Sequence, residues 1–214
     1  VKALLHSLEH PAAKALASAY IDDKTLMNDF KIAPAAMLIH HAWIGGLLEH
    51  TLQLMKLADG MLPNYPRLNR DIILIGLFIH DLGKVEELRW DRGFQYTREG
   101  NLVGHIARGA MWLEDKAKIA EETLGEPLPD GFLTVMQHIV LSHHGLLEHG
   151  AAKLPATPEA IFVSQLDNLD AHTQTALDAA RPWNPSATGD EAFTERIWSL
   201  DTKLYRRDPL KESQ

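Results

Sequence analysis

The sequence predicts an all-α protein with one short irregular or hairpin insertion at about residues 88–101. Two observations favour helices: apolar residues recur at helical spacing, and helix start and stop signals bracket the long segments. A third observation sets the insertion apart, because residues alternate around Asp91–Gly93 as they do in a hairpin. With 214 residues, 45% of them hydrophobic, the chain can bury a sizeable core.

The first half of the chain is expected to contain three helices. Asn69 or Asp71 is the expected cap of the third, which crosses a continuous apolar stretch and stops at Gly83. The first helix is rich in alanine, and the second shows a partly helical apolar pattern. The three expected helices cover residues 3–19, 34–60 and 69–83.

The second half is expected to contain four helices. Thr157, Pro158 and Glu159 form a strong helix start, with a cap, a proline in the first position and an acid in the first turn. The expected helices cover residues 102–124, 131–144, 157–180 and 191–207. We expect three parts: an N-terminal helical segment (1–34), a main domain (35–180), and a C-terminal loop and helix that pack on it (181–214).

Composition excludes several classes of site. The chain has no cysteine, which rules out disulfides, thiolate catalysis and cysteine-ligated zinc. Its net charge of −8 argues against a broad nucleic-acid-binding face. No apolar run approaches the ~20 residues that a membrane span needs, and no leader precedes Val1. We therefore expect a cytoplasmic protein without membrane contact.

Histidine is unusually frequent, with 12 in the chain. Five expected helices each place a histidine or aspartate at or beside an apolar face or a helix end. For any one of these histidines, a core residue with a protein partner or a helix N-cap is the commoner explanation. Unpartnered buried charges cost several kcal/mol, so five together predict a shared compensating charge, most simply a pair of divalent metal ions. The residues are His50, His80, Asp81, His105, His143, His144 and Asp167.

The order of these motifs resembles the HD-domain metal-dependent phosphohydrolase superfamily. The segments that carry the likeness read GGLLEH, HDLGK, GHIARG, LSHHG and DNLDA. A narrower resemblance, over about residues 35–205, is to the HD domain of bacterial 3′–5′ exoribonucleases of the YhaM type. That family also carries an N-terminal OB-fold, which residues 1–34 do not resemble. Val1 in place of methionine suggests a piece of a longer protein, and the sequence leaves this open.

The resemblance implies a role for each motif. One ion would be held by His50, His80, Asp81 and Asp167. Asp81 would bridge to a second ion held by His105 and by His143 or His144, and the sequence leaves open which of the two binds. We expect two divalent ions, with manganese first and iron, magnesium, nickel, cobalt or zinc as alternatives.

Further polar residues are expected to serve the substrate or the ligands. Lys84 resembles the family's phosphate-facing lysine and would act with Asp81 in catalysis, although an ordinary helix-end cation is an equal alternative. Arg108 and Lys153 are candidate phosphate contacts, and a surface salt bridge is the commoner role for such an arginine. The expected partners of the ligand N–H groups are Glu49 and Asp170.

Three functions fit this sequence. The first is a 3′–5′ exonuclease that hydrolyses single-stranded RNA or DNA with a metal-activated water. The second is a phosphohydrolase of small nucleotides, such as a nucleotidase or cyclic-nucleotide phosphodiesterase, which the acidic composition favours if the chain is complete. The third is a sensor domain that binds metal and nucleotide without turnover. The oligomeric state is left open by the sequence.

Overall fold

The computed structural model describes residues 1–36, 43–90, 93, 95–181 and 192–210. It divides into two units, Val1–Asp167 and Asn168–Gln214. The predicted all-α class is confirmed, since the regular secondary structure of the described residues is helical apart from one small sheet and isolated bridges. The predicted boundaries at residues 34 and 180 stay predictions. In the described part of the chain, no helix is long and apolar enough to cross a membrane.

The N-terminal region contains three helices, α1 (Lys2–His6), α2 (Pro11–Ile21) and α3 (Lys24–Ile32). The single helix predicted over residues 3–19 was wrong: α1 ends before Ser7, and α2 begins at Pro11 with His10 as its N-cap. α3 was not predicted. Asp23 caps it by accepting a hydrogen bond from the Leu26 amide at 3.0 Å.

The middle of the chain forms α4 (Gly46–Met61), a 3-10 turn (Leu62–Asn64), α5 (Arg70–Ile79) and α6 (Lys84–Glu87). α4 begins later than predicted: residues 33–36 and 43–45 are not helical, and Gly45 has φ +85°, a left-handed conformation that interrupts a helix. Residues 37–42 lie outside the described part. The predicted Asn69 cap is confirmed by its 3.1 Å bond from the Ile72 amide.

α5 lies in the core of the first unit, in contact with α4, with the N-terminal helices and with α9 (Phe132–Ser142). Its apolar residues from Ile73 to Ile79 are buried, which explains why this segment is continuously hydrophobic rather than amphipathic. The ring of Phe78 packs edge-on against Tyr20 and Phe30, at 6.1 and 5.9 Å between centroids. The buried helix therefore delivers its C-terminal residues, His80 and Asp81, into the protein interior.

The predicted insertion contains a hairpin of β1 (Leu88–Arg89) and β2 (Gln95–Tyr96), paired antiparallel with Leu88 opposite Tyr96. It is followed by α7 (Arg98–Leu102), which Thr97 caps through the Gly100 amide at 2.8 Å. α8 (Gly104–Leu124) then packs along α2 and α9.

The last helix, α10 (Pro158–Ala180), starts as predicted, with Thr157 Oγ1 accepting from the Ala160 amide at 3.1 Å. The helix predicted over residues 191–207 was wrong, because residues 192–210 contain no α-helix. Bridges instead join Phe193 to Tyr205 and Ile197 to Thr202. Aromatic and β-branched residues favour this extended pairing.

Candidate metal centre

The seven residues predicted as metal ligands come from five elements that meet inside the first unit. His50 lies on α4, His80 and Asp81 directly follow α5, and His105 lies in the first turn of α8. The pair His143–His144 directly follows α9, and Asp167 lies on α10. They form two groups whose potential ligand atoms lie within 4.8 Å of one another. The His50 group contains His50, His80 and Asp167, and the His105 group contains Asp81, His105, His143 and His144.

Asp81 faces both groups, one with each carboxylate oxygen. Its Oδ2 lies 3.7 Å from His50 Nε2 and 3.4 Å from His80 Nε2. Its Oδ1 lies 3.5 Å from the Nε2 atoms of both His105 and His143. A single buried carboxylate is thus placed to be shared between two cations.

Asp167 is the third member of the His50 group. Its Oδ1 lies 3.2 Å from His50 Nε2 and 3.9 Å from His80 Nε2. Metal–ligand bonds of about 2.0–2.2 Å place neighbouring ligand atoms about 3–3.5 Å apart. The observed separations are therefore close to those of a coordination shell, with room for a slight contraction around an ion.

The orientation of four imidazoles is fixed by what their Nδ1 atoms contact. Three face carbonyl oxygens and one faces a carboxylate, and all of these are acceptors, so each Nδ1 donates. A neutral ring that donates from Nδ1 presents a bare lone pair at Nε2. The pairs are His80 with Leu77 O (2.8 Å), His143 with Val140 O (2.8 Å), His144 with His149 O (2.7 Å) and His105 with Glu87 Oε1 (3.0 Å).

These lone pairs converge with carboxylate oxygens, so acceptors face acceptors. Four buried atoms of the centre have no hydrogen-bond partner among the described residues: His80 Nε2, Asp81 Oδ1, His105 Nε2 and His143 Nε2. Each buried polar atom left unsatisfied costs about 1–3 kcal/mol. Cations between the acceptors would remove this cost, so the donor set fits divalent metal ions.

The protonation states of two histidines suit metal binding. Burial lowers the pKa of His80 to about 4. Burial and the adjacent His143 lower the pKa of His144 to about 3. Both rings are therefore neutral near pH 7, which is the form that binds a metal.

The two carboxylates are ionised. Burial by itself raises the pKa of Asp81, but Lys84 and His80 offset this and hold it well below its usual range. Burial acts in the same direction on Asp167, where a hydrogen bond from His50 outweighs it and lowers the pKa. The two ionised carboxylates place negative charge in the centre that a cation would balance.

The predicted substrate-contacting residues occupy different surroundings. Lys84 Nζ donates to Asp81 Oδ2 at 2.7 Å, and its side chain is 17% exposed, so it reaches the centre from its edge. Arg108 pairs with Glu86, which matches the salt-bridge alternative. Lys153 is exposed on the loop after α9. Phosphate contacts by these three side chains stay predictions.

The structure shows one partner of a ligand N–H group that the sequence did not predict, and the roles expected of Glu49 and Asp170 stay predictions. Glu49 is exposed and accepts from Trp43 Nε1 at 2.9 Å, while Asp170 is buried on α10. Glu87, which was not predicted, accepts from His105 Nδ1. Its sequence signal is weak, since an acid three residues after Lys84 is typical of a solvated helix surface.

The segment that carries the centre matches a known family of domains. The profile of the HD domain family matches residues 47–172, more than half of the chain and all seven residues of the centre. The chain belongs to the HD domain family. No solved structure gave a significant match.

Curated relatives are proteins called 3′-5′ exoribonuclease YhaM. The protein from Listeria welshimeri serovar 6b is 36% identical over 182 residues, covering 85% of this chain and 55% of the relative. That from Bacillus pumilus is 37% identical over 188 residues, covering 86% and 55%. That from Bacillus subtilis is 35% identical over 180 residues, covering 83% and 53%. The predicted likeness to this family is confirmed, and the chain spans about half the length of these relatives.

Proposed function

We propose that this chain is the hydrolytic domain of a metal-dependent 3′–5′ exonuclease of single-stranded RNA or DNA. The observation that carries the proposal is Asp81, whose two oxygens face two separate clusters of histidine Nε2 atoms. The names of the relatives support the 3′–5′ direction and an RNA substrate.

The proposed ligand assignment follows the two groups. The His50 group and Asp81 would hold one ion, while His105, His143, His144 and Asp81 would hold the other. Both histidines of the LSHHG motif are therefore assigned to the same ion. Bound divalent ions supply an activated water and neutralise phosphate charge. Manganese is our first choice, because imidazole and carboxylate ligands accept it, with iron, magnesium, nickel, cobalt or zinc as alternatives.

The chain's own residues bind and orient the substrate. Burial by itself lowers the pKa of Lys84, but the nearby carboxylates, led by Asp81, together raise it above its usual value, so the ammonium stays charged. A charged Lys84 at the partly exposed edge of the centre is placed to bind a phosphate oxygen. The net charge of −8 favours recognition at the centre itself over a broad basic surface.

The partners and location follow from the same proposal. The substrate is a single-stranded nucleic acid, and an OB-fold in the remainder of a longer protein would help to hold it, as expected from the family resemblance. We place the protein in the cytoplasm, where such a substrate occurs.

The test is hydrolysis of a 5′-labelled single-stranded oligoribonucleotide with added Mn²⁺. Wild type is expected to give a ladder of products shortened from the 3′ end, and Asp81→Ala is expected to give none. Asp115→Ala is the matched control, because this exposed aspartate on α8 forms an ion pair with the exposed Lys118 at 3.3 Å, and its ladder should equal that of wild type. An intact oligonucleotide beside hydrolysis of free nucleotides would contradict the exonuclease and support the small-nucleotide hydrolase. Metal binding without any product would leave the sensor function.

A further inference from the structure

Glu87 makes two contacts with one proposed metal ligand. Its Oε1 accepts a hydrogen bond from the backbone amide of His105 at 3.0 Å and another from the ring Nδ1 of His105 at 3.0 Å. The Glu87 side chain is 12% exposed and the His105 side chain 11%. Both are partly buried hydrogen bonds of ordinary length, and they join two residues 18 positions apart in sequence.

The two bonds act on both the helix and the ring. α8 has no side-chain cap of its own at Val103, so Glu87 satisfies a first-turn amide that the helix leaves unpaired. The bond to Nδ1 fixes the ring tautomer and directs the bare Nε2 toward Asp81 Oδ1, 3.5 Å away. Glu87 therefore determines how His105 joins its group.

Glu87 is in turn fixed by the hairpin insertion. The Thr97 amide donates to Glu87 O at 2.9 Å, and Thr97 Oγ1 donates to Glu86 O at 2.7 Å. A Cβ on Gly100 would lie 2.3 Å from Glu87 O, so the backbone of α7 lies directly against Glu87. Residues after the hairpin are thereby connected to His105 through one side chain.

We propose that Glu87 is a positioning residue that selectively supports the ion of the His105 group, an inference that rests on the proposed function. The hydrogen bonds that Glu87 Oε1 accepts both come from His105, which lies in the His105 group. Loss of Glu87 should therefore weaken the binding of one ion and leave the binding of the other unchanged. Replacement of a hydrogen-bond partner of a ligand imidazole typically lowers metal affinity about 10- to 100-fold.

Calorimetric titration of the metal-free chain with Mn²⁺ tests the proposal. Wild type should bind two ions, and Glu87→Ala should bind one with near wild-type affinity and the other about 10- to 100-fold more weakly. The affinity of Glu87→Gln for that ion should lie between those of wild type and Glu87→Ala, since the Gln amide oxygen still accepts from Nδ1 but carries no charge. Glu86→Gln is the matched control: its side chain pairs with Arg108 instead, and its two affinities should equal those of wild type.

A spectroscopic measurement separates positioning from general destabilisation. In ¹⁵N-histidine NMR spectra of the metal-free chain, His105 should carry its proton on Nδ1 in wild type and in Glu87→Gln, and mainly on Nε2 in Glu87→Ala. Two ions bound by Glu87→Ala as tightly as by wild type would overturn the inference, as would an unchanged tautomer or an equal loss of both ions. A wild-type chain that binds no metal would overturn the proposed function itself.

Discussion

Gly83 lies directly against the backbone of His105, and its replacement by alanine tests this close approach at the metal centre. A Cβ at this position would lie 2.2 Å from the carbonyl oxygen of His105 and 2.8 Å from its Cα. The backbone of Gly83 is right-handed, with φ −57°, so the glycine is required by the approach of α8 and by no unusual backbone angle.

The expected magnitude follows from these distances. Ordinary contact begins at 3.4 Å, so the His105 carbonyl would have to move by about 1.2 Å. Forcing an extra carbon into a packed interior costs about 1–3 kcal/mol of unfolding free energy. A displacement of about 1 Å in a catalytic group costs about 10²-fold in rate, and His105 would be displaced relative to Asp81.

Urea unfolding and Mn²⁺ titration measure the two effects. The unfolding free energy of Gly83→Ala should be about 1–3 kcal/mol lower than that of wild type, and the variant should bind one of its two ions more weakly. Gly60→Ala is the control: this exposed glycine lies in α4 with nothing within 4 Å of an added Cβ, so alanine should stabilise the chain by about 0.5–1 kcal/mol. A Gly83→Ala chain with wild-type stability and wild-type affinity for both ions would refute the reasoning.

Three further predictions concern single charges. Asp81→Ala should abolish binding of both ions and all hydrolysis, because both groups lose their shared carboxylate; atomic emission of the dialysed protein counts the ions. Lys84→Ala should retain both ions but reduce kcat by about 10²-fold or more, the usual cost of removing one charge-stabilising donor. Asp23→Asn should reduce the melting temperature near pH 7, since the side-chain hydrogen bond from Lys116 lowers the pKa of Asp23. That difference should shrink as pH falls below the unfolded value of about 3.9.

Each of these three has an outcome that would contradict it. If Asp81→Ala still hydrolysed substrate, a carboxylate shared by two ions would be excluded. If Lys84→Ala lost its metal, Lys84 would support the metal centre and its assignment to the phosphate would be wrong. For Asp23, a folded pKa below the unfolded one means that its stabilisation is present above the unfolded pKa and disappears as the pH falls through the folded pKa. Asparagine still caps α3, so only the charge changes; a melting difference that grows in acid would be inconsistent with the assignment.

The sequence indicated which residues lie together at the centre, because they interrupt apolar patterns. His80 and Asp81 end a buried helix, where a polar pair needs a compensating partner, and the same argument identified Asp167 on α10. Residue patterns alone could not predict that Asp81 faces two groups, because that depends on how α4, α8 and α9 pack; only the family resemblance implied a bridging role. Glu87 was missed since its acceptor role depends on a contact across 18 residues.

The fold errors have the same origin in tertiary contacts. The segment after residue 191 has a helical charge pattern, yet Thr194 pairs with Leu204, its amide donating to the Leu204 carbonyl at 2.9 Å. α3 was missed because its core residues, Leu26, Met27 and Phe30, are few and lie among polar ones. Cap residues were the more reliable local signals, as Asn69 and Thr157 show.

The central claim is that two ions share the Asp81 carboxylate, and electron paramagnetic resonance of the Mn²⁺-loaded chain tests it most directly. Two manganese ions bridged by one carboxylate should give an exchange-coupled spectrum, which Asp81→Asn should abolish. A six-line spectrum of isolated Mn²⁺ from a wild-type chain that is saturated with metal and active on an oligonucleotide would contradict the shared centre.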